Sequence, residues 1–155
     1  MGHSASRRTT SRSYPVRVGL TNVEGTWQAD EVSATVSTYL MFEGSAADAL
    51  DLYATAFPDL EVVSGERADG ESLPTDVLLR GHRLKLFDSP VSHGFTFTPS
   101  VSLFVDFDDE GEFQHALDTL SPNGVELMPP GEYGFSRRFA WIQDRFGMSW
   151  QLNLP

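Results

Sequence analysis

The chain has 155 residues, 40% of them hydrophobic and 12% aromatic, with a formal net charge of -11. This length and apolar content suit one packed domain rather than a disordered chain, and the acidic charge repels nucleic acid phosphates and anionic lipid, so neither is an expected partner. The absence of cysteine excludes disulfides, thiolate metal sites and a cysteine nucleophile, and no apolar run approaches the about 18 residues of a membrane span.

Arg7, Arg8, Arg12 and Arg17 stand in residues 1–23, which hold no acid, and the start of the chain shows no hydrophobic periodicity. Residues 1–33 therefore read as a disordered or loosely docked tail. The pair Arg7–Arg8 has no apolar region behind it, so it is not read as an export signal, and a cytoplasmic location is expected. From residue 34 to 155 the pattern is that of a single domain. "ATVSTYLMF" is a strand by its β-branched and aromatic residues. "GSAADALDLYATAFP" is a helix, with Ser45 and Asp48 in a capping-box pattern, Ala46, Leu50, Tyr53 and Phe57 on one face, and Pro58 as its stop. Three short strands follow in "LEVVSGER", "DVLLRG" and "RLKLFD", separated by glycine and polar turns.

The order then recurs. In "SVSLFVDF", Val101, Leu103 and Val105 alternate with Ser100, Ser102 and Phe104, a half-buried strand whose first set packs under a helix. "DDEGEFQHALDTL" is that helix, with Phe113, Ala116, Leu117 and Leu120 on one stripe and acids in its first turn, where they favour the dipole. "SPNG" is a turn, "VELM", "RRFAWIQ" and "MSWQLNL" are strands, and "MPPGEYGFSRR" contributes a loop. A slide of 63 places lays Leu40 on Leu103 and Phe57 on Leu120. The fold class expected is α+β, two β-α-β-β-β modules over residues 36–88 and 100–154 with a linker at 89–99. Parity sends Trp150, Leu152 and Leu154 to the helix side and leaves Ser149, Gln151 and Asn153 for the other face. Asp144 suits the start of the final "DRFG" turn and Gly147 a positive φ.

The segments "TYLMFEGSAADALDLYATAFP", "TPSVSLFVDFDD" and "FAWIQDRFGMSWQLNLP" resemble the PhnB-like branch of the vicinal-oxygen-chelate superfamily, over about residues 36 to 155. The resemblance implies paired modules that curl into a cup, commonly as homodimers, and in the enzymes a divalent metal held by His and Glu. Carried over one by one, the family's ligand positions fall near Thr38, Lys85, Ser100 or Val101, and Gln151, none of which is a strong ligand for a catalytic ion. His82, His93 and His115 have no ligand spacing and read as solvated surface histidines. Members of the family are often labelled as ubiquinone-pathway methyltransferases, yet no glycine-rich strand-to-helix turn stands here to hold a nucleotide-like cofactor, and no G-x-S-x-G elbow is present.

The residues expected to line the cup are Thr38, Lys85, Phe87, Ser100, Ser102, Phe104, Trp141, Gln143, Ser149 and Gln151. Arg83, Lys85 and Phe87 share a strand face, and Lys85, the only lysine, is placed to receive an anionic ligand or simply to reach water. Trp141 and Gln143 beside Ser149 and Gln151 give an apolar wall with orienting polar groups, or complete a core or dimer seam. No catalytic residue, metal or cofactor is assigned. Two functions follow: metal-independent binding of a small molecule in the cup of a homodimer, or a metal-dependent isomerase, dioxygenase or group-transfer enzyme of the same superfamily.

Overall fold

Each half of the chain couples an alternating strand to a helix with one apolar stripe, and such a pair buries its apolar sides only by packing helix on sheet. A computed structural model describes residues 20–23, 26–29, 34–64 and 75–155 and divides the chain into two units, Met1–Thr35 and Val36–Pro155. In the first unit β1 (Leu20–Val23) pairs antiparallel with β2 (Thr26–Ala29), Leu20 opposite Ala29. The remainder of the expected tail at 1–33 lies outside the described residues.

The second unit contains β3 (Thr38–Phe42), α1 (Ala46–Ala56), β4 (Glu61–Ser64), β5 (Thr75–Leu79) and β6 (His82–Asp88), and then β7 (Leu103–Asp106), α2 (Glu110–Leu120), β8 (Val125–Tyr133), β9 (Ser136–Gln143) and β10 (Ser149–Leu154). The strands form two four-stranded mixed sheets of the same topology, ordered β3-β6-β5-β4 and β7-β10-β9-β8. In each, the first strand runs parallel to the last and the other pairings are antiparallel. This is the α+β fold of two β-α-β-β-β modules that the sequence implies.

Both sheets contribute to one hydrophobic cluster, from Leu40, Phe42, Leu84 and Leu86 on one side to Ile142, Trp150, Leu152 and Leu154 on the other. The helices join them. Trp150 on β10 is fully buried, with its ring centroid 5.0 Å from that of Tyr53 and 5.3 Å from that of Phe57, both contributed by the first module. Arg80 in the β5–β6 turn ties the modules again, reaching Asp59 at 3.3 Å and Glu112 at 2.5 Å while lying over the Phe107 ring. The modules thus meet through their helix sides, and each sheet turns its other face away from the shared core.

The α2 stripe is the expected one: Phe113, Ala116, Leu117 and Leu120 are its buried residues. The buried set of α1 is Ala49, Leu52, Tyr53 and Ala56, with Phe57 buried just beyond and Ala46 and Leu50 only partly covered. The stripe is rotated from the expected one, with Ala49, Leu52 and Ala56 buried in place of Ala46 and Leu50 and Tyr53 common to both. The helix stripes consequently lie one residue further apart than the expected slide, Tyr53 matching Leu117.

Capping of α1 also departs from expectation. Ser45 makes no side-chain cap bond; instead Asp88 Oδ1, at the end of β6, accepts from the backbone N–H groups of Gly44, Ser45 and Ala46, each at 2.9 Å. A carboxylate facing three free donors at the positive end of a helix is stabilising. Asp88→Ala is therefore expected to cost about 1–2 kcal/mol in urea unfolding, while Ser45→Ala changes stability by less than about 0.5 kcal/mol. A larger loss from Ser45→Ala would restore the local cap. In α2 the cap is local, with Asp109 Oδ1 accepting from the Glu112 N–H at 2.9 Å.

Two further elements differ from their sequence reading. "MPPGEY" is part of β8 rather than a loop, and Pro129 and Pro130 are tolerated because β8 is an edge strand whose register against β9 shifts repeatedly. Val101 is 66% exposed and lies ahead of β7, in a turn where its N–H donates to Thr98 O at 3.3 Å, so it does not pack under α2. The last hairpin is as expected: Gly147 has φ +87°, and its N–H donates to Asp144 O at 2.9 Å. Among the described residues no helix is long and apolar enough to cross a membrane.

Candidate functional site

Strand register sorts the polar residues of the second sheet. Across β10 and β9, Ser149 pairs with Gln143, Gln151 with Trp141 and Asn153 with Phe139; across β10 and β7, Gln151 pairs with Phe104 and Asn153 with Asp106. All therefore share the face opposite Trp150, Leu152 and Leu154. They are also bonded to one another. The Trp141 indole N–H donates to Ser149 Oγ at 2.9 Å, the hydroxyls of Ser149 and Ser102 lie 2.8 Å apart, and Gln151 Nε2 donates to Ser102 Oγ at 3.2 Å. Gln143 Nε2 donates to Gly147 O at 3.0 Å. Of the ten expected site residues, Ser102, Phe104, Trp141, Gln143, Ser149 and Gln151 are thus brought together on one surface.

Aromatic rings border this network. Phe139 is buried on the same face, with Phe104 at 6.3 Å, Tyr133 at 5.9 Å and Phe135 at 5.2 Å between ring centroids. The β8–β9 hairpin end thus folds its own rings onto the sheet. The surface is an apolar wall with a hydrogen-bonded polar strip, the composition that orients a small ligand.

Lys85 and Phe87 lie on the corresponding face of the first sheet, paired with Tyr39 and Met41 of β3. Lys85 is not a free cation. Its Nζ donates to Asp76 Oδ1 at 2.7 Å, and Arg83 reaches the other oxygen of the same carboxylate at 3.2 Å. Asp76, 8% exposed, was not singled out in the sequence; its alternation with Val77 in β5 is the signal that places it beside Lys85. The charge left over from two cations and one carboxylate is a single positive one, spread over a pair.

Two expected site residues lie elsewhere. Thr38 shares the parity of Leu40 and Phe42, on the helix side of β3, where its hydroxyl lies 2.9 Å from His82 Nε2. Ser100 precedes β7 and bonds the Thr98 hydroxyl in the turn at the end of the linker, so it does not stand on a sheet face. His93 bonds Ser89 Oγ at 2.8 Å, and His115 bonds the Thr55 carbonyl of α1 at 2.8 Å.

The linker borders a cleft of about 320 Å³ lined by Tyr39, Met41, Glu43, Phe95, Thr96 and Phe97. Glu43 holds the linker there, accepting from the His93 N–H at 2.6 Å and from the Ser92 hydroxyl at 3.0 Å. The His93 N–H foremost, and then the Ser92 hydroxyl, hold its carboxyl below the ordinary value of 4.5. A depressed carboxyl contributes stability that is complete above pH 4.5 and is lost as pH falls through its lowered value. Hydrogen exchange corrected for intrinsic rates should show His93 losing protection below that pH while β10 amides keep theirs; equal protection across the range would separate Glu43 from the linker.

The positions that the resemblance gives for a divalent ion do not fit one. Thr38 faces the core side, Lys85 is a cation engaged with Asp76, Ser100 is held in a turn, and Gln151 is a carboxamide donating to Ser102. Hydroxyls and amides that already satisfy one another are poor ligands for a catalytic metal, which takes imidazole and carboxylate. Among the described residues no group of three His, Asp or Glu side chains is arranged to hold an ion.

With this geometry in place, similarity to known proteins is informative. A family model described as 3-demethylubiquinone-9 3-methyltransferase matches residues 34–153. The PhnB protein from Bacillus cereus is 38% identical, with a TM-score of 0.72 over 79% of this chain and 100% of that one. A glyoxylase/bleomycin resistance protein/dioxygenase domain from Frankia shares the fold at 13% identity, with a TM-score of 0.59 over 79% of this chain and 98% of its own. The fosfomycin resistance protein FosX from Listeria monocytogenes, solved with Mn(II), shares it at 11% identity, with a TM-score of 0.56 over 79% and 92% of the two chains. Among curated proteins none is significantly similar. With two repeated β-α-β-β-β modules and a family match across both of them, the chain belongs to the PhnB-like family described as 3-demethylubiquinone-9 3-methyltransferase, and it has the fold of the glyoxylase/bleomycin resistance/dioxygenase domain.

Proposed function

We propose that this protein binds a small molecule without a metal, as a cytoplasmic homodimer whose ligand sites are each built from two chains. The observation that carries this reading is the hydrogen-bonded strip of Ser102, Trp141, Ser149 and Gln151, set among aromatic rings, with Gln151 at a position where a superfamily enzyme would place a chelating side chain. The strip offers orientation and shape but no Lewis acid, which suits retention of a ligand rather than activation of one.

The layout of one chain supports the dimer. Its two free faces belong to separate sheets, and the first strand of each, β3 and β7, is an edge strand. Unpaired edges beside exposed aromatic residues such as Tyr39 and Phe104 are surfaces that proteins cover. A two-fold axis that sets the first sheet of one copy against the second sheet of the other covers both pairs at once and closes two equal cups. Lys85, Phe87 and Tyr39 of one copy then face the strip of its partner.

The test combines mass, metal and ligand. Light scattering should give twice the chain mass, metal analysis of the purified protein should give far less than one ion per chain, and a compound library should contain ligands whose thermal shift survives EDTA. Stoichiometric Ni, Zn, Mn or Fe(II), with ligand binding lost on its removal, would replace this reading with the metal-dependent enzyme. A monomer that binds its ligand unaided would remove the two-chain cup.

A further inference from the structure

The cleft between β3 and the linker is open to solvent and complete within one chain. Tyr39 and Phe95 are 51% and 66% exposed, so a ligand reaches their rings directly, and about 320 Å³ of space lies among Tyr39, Met41, Glu43, Phe95, Thr96 and Phe97. Each of the three rings is held by a partner outside the cleft. Tyr39 meets Phe87 with ring centroids 5.8 Å apart, Phe95 stacks on the His93 ring at 5.0 Å, and Phe97 meets Phe42 edge-on at 5.1 Å. Among the described residues no two of the three pair with each other, so the space between them is kept rather than filled. The linker wall is fixed as well: the Ser89 N–H donates to Phe42 O at 2.8 Å, and Glu43 accepts from Ser92 and His93 further along.

Glu43 is the one charged group among the described residues that line the cleft. The bonds from the His93 N–H and the Ser92 hydroxyl keep it ionised at neutral pH, and they occupy one acceptor site on each of its oxygens. A primary ammonium that leaves water needs acceptors, which are partly taken here; a fully methylated ammonium needs none and is attracted by aromatic rings. Lys85, cross-strand from Tyr39, has its ammonium held by Asp76, and the His93 ring bonds Ser89 Oγ. We propose that this cleft binds quaternary ammonium groups, with Tyr39, Phe95 and Phe97 as cation–π partners and Glu43 as the counter-charge. The site needs neither a second chain nor the strip of the second sheet, so its failure would leave the two-chain cup standing.

The experiment titrates the isotope-labelled full chain with choline and, separately, with its uncharged carbon isostere, in which a tert-butyl group replaces trimethylammonium. Saturable shifts of the Met41 methyl and the Thr96 amide are expected with choline at about millimolar concentration, with the isostere binding at least about tenfold more weakly and ethanolamine, the primary amine, also more weakly than choline. Phe95→Leu changes an exposed side chain, so the fold should be kept while choline affinity falls at least about fivefold and the weak binding of the isostere stays as it was. Glu43→Gln keeps an oxygen for the His93 N–H but loses the charge, and should weaken choline alone by a similar factor. Asp118→Asn, at an exposed position of α2, should change nothing, which separates the cleft from general attraction of a cation to an acidic protein. Equal affinity for choline and its isostere overturns the proposal, because the cleft would then be only an apolar groove. Unchanged affinity in Phe95→Leu overturns it too, as do shifts scattered over the acidic surface without saturation, or no shift at all. A Phe95→Leu variant that turns a dimer into a monomer gives the ring to the subunit contact and overturns it in favour of that interface.

Discussion

Replacing Asp144 with alanine is expected to lower the unfolding free energy by about 4 kcal/mol, since several hydrogen bonds to a charged group are lost together and their donors are left buried. Asp144 is 3% exposed. Its Oδ1 accepts from the Phe146 and Met148 N–H groups at 2.8 and 3.0 Å, and its Oδ2 from the Trp150 indole at 2.9 Å. One carboxylate therefore shapes the last turn and fixes the largest core side chain. Burial foremost, and then the nearby Asp144 charge, push the Tyr53 hydroxyl well above its ordinary range. Asp144→Asn should cost about 2 kcal/mol, because the amide can still accept from the turn but presents N–H to the indole N–H. Guanidinium denaturation of the three proteins checks the order. A loss below about 1 kcal/mol for the alanine variant would mean that water or a rearranged turn replaces the carboxylate.

What could be read from the sequence was what neighbours in the chain determine. The Asp144–Gly147 turn is a local matter of an Asx acceptor and a left-handed glycine, and the α2 stripe is local periodicity; both stand in the structure as expected. Features set by distant segments were not legible. On α1, Tyr53 packs against Trp150 from the other module, and the helix N-terminus is capped by Asp88 from a strand 42 to 44 residues away. Lys85 looked like a free cation because its partner, Asp76, meets it only through strand pairing.

The candidate site divides along the same line. Ser102, Phe104, Trp141, Gln143, Ser149 and Gln151 follow from period-two alternation, which needs only the strand to be recognised. Thr38 stands at a ligand position only through the resemblance; the alternation of Thr38, Leu40 and Phe42 itself places it on the core side. Alternation carried back to Ser100 runs past the true start of β7 at Leu103, into a turn closed by Thr98. That the two free faces belong to separate sheets within one chain is a consequence of tertiary packing, for which alternation holds no information.

Trp150→Ala should be the other severe substitution, costing about 3–5 kcal/mol as a large buried ring gives way to a cavity. The location of the ring matters as much as its size. Trp150 belongs to β10, yet its rings pack on Tyr53 and Phe57 of the first module, so the cavity opens at the junction of the two modules. Trp150→Phe keeps most of the ring packing and loses the indole bond to Asp144, and should cost about 1–3 kcal/mol. If the shared core makes the modules one cooperative unit, the parent unfolds in a single transition, followed equally by far-ultraviolet circular dichroism and by tryptophan fluorescence. The alanine variant should then be the one in which the transitions separate, with the first module melting ahead of the second. A single unchanged transition at nearly parental stability would show that the modules are held together through the Arg80 bridge to Asp59 and Glu112 instead, and Arg80→Ala would then carry the larger loss.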